Sequence, residues 1–136
     1  MQVQSYLFFD GRCEEAIGFY RKTLGAQVDK LLHYKDSPEP GDPNMPPGSE
    51  NKVMHASFRI GETSLMASDG RCAGKPTFQG FSLTITAANE AEADRLFAAL
   101  SDGGQVQMPL TETFFSPRFG MLADRFGVSW MILVGK

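Results

Sequence analysis

The stretch from Val3 to Gly25, VQSYLFFDGRCEEAIGFYRKTLG, decides how the rest of the chain is read, because it runs from a strand directly into an amphipathic helix. Val3, Ser5, Leu7 and Phe9 alternate with Gln4, Tyr6 and Phe8, and an aromatic-rich run without Gly or Pro suits a strand buried on both faces. Asp10 and Gly11 break it. From Cys13 the apolar residues Ala16, Ile17, Tyr20 and Leu24 recur at the three- and four-residue steps of one helical face, which Phe19 widens. Gly25 is the expected stop, since glycine enters the left-handed C-terminal conformation without steric cost.

A second copy of this plan starts near Phe81 in FSLTITAANEAEADRLFAAL. Leu83 and Ile85 alternate with Ser82, Thr84 and Thr86. Asn89 is a good N-cap, and Glu92 three residues later has the spacing of a capping box. The helical stripe is Ala93, Leu96, Phe97 and Leu100, with Gly103 and Gly104 ending it. At an offset of 77 residues Ser5 falls on Ser82, Glu15 on Glu92, Ala16 on Ala93, Phe19 on Leu96 and Tyr20 on Phe97.

Three further strands fit after each helix. In the first half these are AQVDKLLHYK, KVMHASFRI and TSLMASD, the last two forming an antiparallel hairpin through Gly61 and Glu62. Met54, Ala56, Phe58 and Ile60 alternate with Val53, His55, Ser57 and Arg59, so one face is core and the other wetter. Between Ser37 and Asn51 lies a loop with five prolines and two glycines, whose length and composition suit a lid, a dimer arm or a disordered segment. Gly70 to Gln79 connects the halves. GQVQMPLTETFF, FGMLADRF and VSWMILV supply the last strands, with DRFG as a turn. The order is strand, helix, three strands, twice: an α+β fold of two βαβββ modules, residues 1–70 and 80–136, within one domain of residues 1–136.

The totals exclude several classes. A chain of 136 residues with 42% hydrophobic content forms one domain with a real core. A net charge of −3 with scattered Lys and Arg lacks the concentrated basic face of a nucleic-acid binder. No segment has the ~18 continuous apolar residues of a membrane span, and no basic-then-apolar leader precedes the first strand, so a cytoplasmic protein is expected. Cys13 and Cys72 lack metal-type spacing and read as reduced thiols.

The stretches YLFFDGRCEEAIGFYRKTLGA, VMHASFRIGETSLMASDG and DRFGVSWMI, in this order, resemble the PhnB-like branch of the vicinal-oxygen-chelate superfamily, also called 3-demethylubiquinone-9 3-methyltransferase-like. The superfamily includes glyoxalase I, bleomycin- and fosfomycin-resistance proteins and extradiol dioxygenases. The resemblance implies that each module curls a mixed sheet into half of a cup with its helix on the outer face. It also implies a homodimer. In the metal-dependent relatives, ligands come from the first and last strands of each module, positions that fall here on Ser5, Met66, Ser82 and Met131. Hydroxyls and thioethers do not replace imidazole or carboxylate for Zn, Ni, Mg or Mn, so no metal and no cofactor is expected. A methyltransferase of the usual adenosylmethionine kind needs a parallel sheet with a Gly-rich first turn, which is absent from this sequence.

On this reading the cup is lined by Ser5, His55, Ser57, Arg59, Met66, Ser82, Thr84 and Met131, joined by Thr86. It suits a small organic ligand, with Arg59 or Arg118 available to an anionic one and the thioethers adapting to apolar parts. No residue is assigned a catalytic role, because a nucleophilic serine needs an adjacent base and an oxyanion hole. Two other readings stand beside a metal-independent binder. One is a metal-dependent glyoxalase-type lyase, isomerase or resistance enzyme that recruits His55 and Glu62. The other is a structural or regulatory dimer with a closed cup.

Overall fold

The computed structural model describes residues 1–38, 47–70 and 75–135. Cys72, and residues 39–46 of the proline-rich loop, lie outside the described residues. The chain divides into two units, Met1–Pro76 and Thr77–Lys136. The first contains β1 (Tyr6–Phe8), α1 (Cys13–Leu24), β2 (Gln27–His33), β3 (Val53–Ile60) and β4 (Thr63–Ser68). The second contains β5 (Leu83–Ala87), α2 (Glu90–Ser101), β6 (Gln105–Thr113), β7 (Ser116–Ala123) and β8 (Ser129–Val134). The plan of strand, helix and three strands, twice, is therefore observed. Each unit holds one four-stranded sheet, ordered β1-β4-β3-β2 and β5-β8-β7-β6. The β1/β4 and β5/β8 pairs are parallel and the others antiparallel, so both sheets are mixed.

Boundaries differ in three places. The expected strand from Val3 shortens to Tyr6–Phe8, Tyr34–Asp36 forms a 3₁₀ turn instead of extending β2, and β7 starts at Ser116, before Phe119. Helix α1 has the expected ends: Gly25 adopts φ 68° and its N–H reaches Arg21 O and Tyr20 O. At the start of α2, Asn89 accepts from the Glu92 N–H at 2.8 Å, while the Glu92 carboxylate accepts from the Ala88 N–H, one residue before the cap position of a capping box.

In each unit the helix covers one sheet face. Ala16, Ile17 and Tyr20 of α1 are buried with Leu7, Phe9, Ala56, Phe58, Leu65 and Ala67, and the Tyr20 ring stacks on Phe58 at 6.3 Å. In the second unit Ala93, Leu96, Phe97 and Leu100 are buried with Leu122, Trp130, Ile132 and Val134. Each of the larger side chains contributes roughly 1.5–3 kcal/mol by leaving water. Gly120 permits α2 to approach closely, because a Cβ there would stand 2.7 Å from the Phe97 ring and 3.0 Å from Met108 O.

A buried aspartate fastens each unit. Arg12, at the N-cap of α1, makes no side-chain capping bond. Asp69, just beyond β4, supplies the acceptor: its Oδ1 accepts from the N–H groups of Gly11 (2.7 Å) and Cys13 (2.8 Å), and its Oδ2 from that of Val53 (2.8 Å). One carboxylate thus joins the ends of three elements. Asp124 does the same in the β7–β8 turn, accepting from the Phe126 and Val128 N–H groups and from Trp130 Nε1 at 2.9 Å. Burial, with Asp69 nearby, pushes the Cys13 thiol far up, which makes it an inert core group.

His33 closes the end of β2 onto α1. Its Nε2 lies 2.7 Å from Glu14 Oε1, and Nδ1 lies 3.5 Å from Asp36. The Glu14 hydrogen bond raises the His33 pKa above the ordinary histidine value against a smaller opposing effect of burial. A raised folded pKa means that this contribution is fully present below the unfolded value and is lost as pH rises through the folded one. We expect an NMR titration to place His33 above about 6.5 and Glu14→Gln to bring it down; an unchanged midpoint in that variant would remove Glu14 as the cause.

Candidate functional site

Register sorts the candidate residues by face. In the first sheet Tyr6 pairs with Met66, Met66 with Ser57, and Ser57 with Lys30, while Phe8 pairs with Ser68 and His55 with Leu32. Leu7, Ala67 and Ala56 form the alternate row, which α1 buries. His55, Ser57, Arg59 and Met66 therefore lie on the face turned away from the helix. In the second sheet Thr84 pairs with Met131 and Met131 with Met121, while Thr86, Leu133 and Phe119 form the next row of the same face. Ser82 precedes β5 with the parity of Thr84.

Ser5 is the exception. It immediately precedes Tyr6, where β1 begins, and its carbonyl accepts from the Met66 N–H at 3.1 Å. Its parity is that of Leu7, the helix side, which corrects the expected placement beside Ser57 and Met66. The cause is a change of offset. The buried helical positions repeat at 77 residues, Ala16 with Ala93 and Tyr20 with Phe97, but matching Met66 with Met131 sets Tyr6 against Thr84, an offset of 78. A one-residue slip reverses every side chain of a strand.

Tyr6 and Phe8 consequently take the face expected of Ser5, and they change its chemistry. Tyr6 Oη lies 3.0 Å from His55 Nδ1, a bond that spans β4 because β1 and β3 flank that strand. The rings of Tyr6 and Phe8 are 4.8 Å apart and those of Tyr6 and His55 5.7 Å apart, both tilted. Phe8 is 53% exposed. Sequence reasoning missed this pair because Tyr6, Leu7, Phe8 and Phe9 are all apolar or aromatic, so their alternation does not report which side is inside.

The two cations expected to meet an anion are both engaged. Arg59 Nε lies 3.1 Å from both oxygens of Asp29, and its NH2 group donates to Gln27 Oε1. Arg118 lies on the α2 side of β7, 3.2 Å from Asp94 and 3.9 Å from Glu90. It therefore does not lie on the face that carries Ser57 and Met66 in the first sheet or its counterpart Met131 in the second.

Among the described residues no group of three His, Cys, Asp or Glu side chains could hold a metal ion. His55 and Glu62 do not combine either. His55 lies five residue steps along β3 from Ile60 at the edge of the hairpin turn, about 16 Å of strand, farther than two side chains bridge through metal bonds of about 2 Å. Among the described residues the available donors therefore do not make up a divalent metal site. No helix among the described residues is long and apolar enough to cross a membrane.

Comparison with known proteins agrees with the fold. A family model described as 3-demethylubiquinone-9 3-methyltransferase matches residues 1–133. Protein YjdN of Escherichia coli K12 is 34% identical over 142 residues, covering 100% of this chain and 97% of that one. The crystal structure of protein PA1353 from Pseudomonas aeruginosa shares 42% identity with a TM-score of 0.86, covering 99% of this chain and 98% of that chain. A PhnB protein from Bacillus cereus, titled a putative 3-demethylubiquinone-9 3-methyltransferase, shares 31% identity with a TM-score of 0.82, covering 99% and 100%. The fosfomycin resistance protein FosX from Mesorhizobium loti, at 12% identity and TM-score 0.65 over 100% of this chain and 92% of that one, shares the fold.

Proposed function

We propose, from the premise that this chain belongs to the 3-demethylubiquinone-9 3-methyltransferase (PhnB-like) family of the vicinal-oxygen-chelate superfamily, that it binds a small organic ligand without a metal ion. The site is the sheet face turned away from the helix: Tyr6, Phe8, His55, Ser57 and Met66 in the first unit, with Ser82, Thr84 and Met131 as the counterpart in the second. The observation that carries this reading is the side-chain chemistry of that face, which offers rings, hydroxyls, thioethers and one imidazole. A mostly apolar wall with a few fixed polar groups is what small-molecule sites are made of. Neither sheet is the parallel, doubly wound kind that carries adenosylmethionine chemistry, so the family's description does not assign a methyl transfer here. We take the working form to be a cytoplasmic homodimer, with sedimentation as a monomer at micromolar concentration the result against it.

Melting temperature measured with and without Ni, Zn, Co or Mn tests the metal-independent part. No stabilisation is expected. Binding to the native state raises stability by mass action, so a rise of several degrees at modest metal excess, abolished by His55→Ala, would establish the metal-dependent reading instead.

A further inference from the structure

We infer that the Phe8–Tyr6–His55 ring ladder is a stacking platform for a planar aromatic ligand that presents a hydrogen-bond acceptor to His55 Nε2. The inference rests on the ligand-binding reading of this face and names the class of ligand. The rings are consecutive, 4.8 Å and 5.7 Å between centroids, and cross from β1 over β4 to β3 on one side of the sheet. Phe8 is held from the side of Gly70, where a Cβ would stand 3.1 Å from the Phe8 ring, yet the residue keeps 53% exposure. A fixed ring with an accessible surface binds another ring at little cost in side-chain entropy.

The polar end follows from the Tyr6–His55 bond. A phenol is the better donor and an imidazole nitrogen the better acceptor, so Tyr6 Oη donates to Nδ1 and the ring proton sits on Nε2. No described residue bonds to Nε2. Among the described residues no buried side-chain nitrogen or oxygen lacks a partner, so Nε2 is open to solvent or to a ligand. It asks for a carbonyl or ring-nitrogen acceptor. A full negative charge is not favoured: Arg59 is engaged by Asp29 and Gln27, and Lys30, opposite Ser57 on the edge strand, is exposed and screened. The second unit places Thr84 and Thr86 where the first has Tyr6 and Phe8, so the platform belongs to the first unit.

Three probes separate the possibilities by titration calorimetry and amide and ring chemical-shift mapping: coumarin, planar with a carbonyl acceptor; cyclohexyl methyl ketone, with the acceptor but no flat ring; and hexanoate, an aliphatic anion. Coumarin is expected to bind and to shift Tyr6, Phe8 and His55. Phe8→Leu is expected to weaken it about fivefold, and His55→Phe, which keeps a ring but loses the donor, by a similar factor. Either other probe binding this face as tightly as coumarin, or Phe8→Leu leaving coumarin unchanged, would overturn the aromatic inference while sparing metal-free binding. If coumarin fails to shift these residues the inference also falls. A chemically mixed fragment set that moves no residue of the face would take the broader reading with it.

Discussion

Asp69→Ala is expected to lower unfolding stability by about 3–5 kcal/mol, because it strands three backbone donors at the junction of β4, α1 and β3. The carboxylate accepts all three at 2.7–2.8 Å while only 3% exposed, so water does not replace it without reorganising the junction. Helix α1 has no other side-chain cap at its N-cap residue, which adds the loss of a cap to the loss of the tether. Asp69→Asn tests the assignment more finely. The amide keeps one acceptor oxygen but turns an NH2 group toward an N–H donor, so its cost should approach that of alanine. Urea denaturation checks both, and a loss below about 1 kcal/mol for alanine would show that the junction is held by packing instead.

The second large effect is at Gly104, where alanine is expected to cost about 3 kcal/mol or more. A Cβ at this position would stand 2.1 Å from the backbone oxygen of Ala123, the β7 residue that pairs with Gln105, and 2.8 Å from the carbonyl carbon of Asp124, which follows it. Neither can move without disturbing the β6/β7 ladder. Gly103 supplies the control. Its φ of 79° makes alanine strained, but the nearest obstacle is the flexible Arg125 side chain at 3.2 Å, so Gly103→Ala should cost only about 1 kcal/mol. Equal effects at the two positions, in thermal or urea unfolding, would mean that backbone conformation and not the close approach sets the requirement.

These residues also mark where the sequence was legible. Both helices and the order of eight strands could be read because their signals are local: Gly25, Asn89 and the three- and four-residue apolar steps. The glycine pair after α2 read correctly as a stop, but the close approach that demands Gly104 comes from a strand nearly twenty residues later. Asp69 and Asp124 resemble ordinary turn residues, and nothing near Asp69 signals that it accepts from Gly11 and Cys13. The same holds for Arg59 and Arg118, whose acidic partners lie on other elements.

The candidate face was legible where polar and apolar residues alternate, as in β3 and β5, and this placed His55, Ser57 and Thr84. It was not legible in β1, where both sides of the strand are apolar. There the phase came from the repeat, and the repeat shifts by one residue between helix and strand. That single step exchanges Ser5 for Tyr6 and Phe8, and so turns a hydroxyl-lined surface into an aromatic one.

Under the proposed function the sheet face away from α1 takes up a small organic molecule with no metal ion present. Chemical-shift mapping of chelator-treated protein against a chemically mixed fragment set tests it most directly. The account predicts shifts concentrated at Tyr6, Phe8, His55, Ser57 and Met66, unchanged when Ni, Zn, Co or Mn is restored. Shifts at these residues that appear only after metal is added, or fragments that bind elsewhere and leave this face untouched, would contradict it.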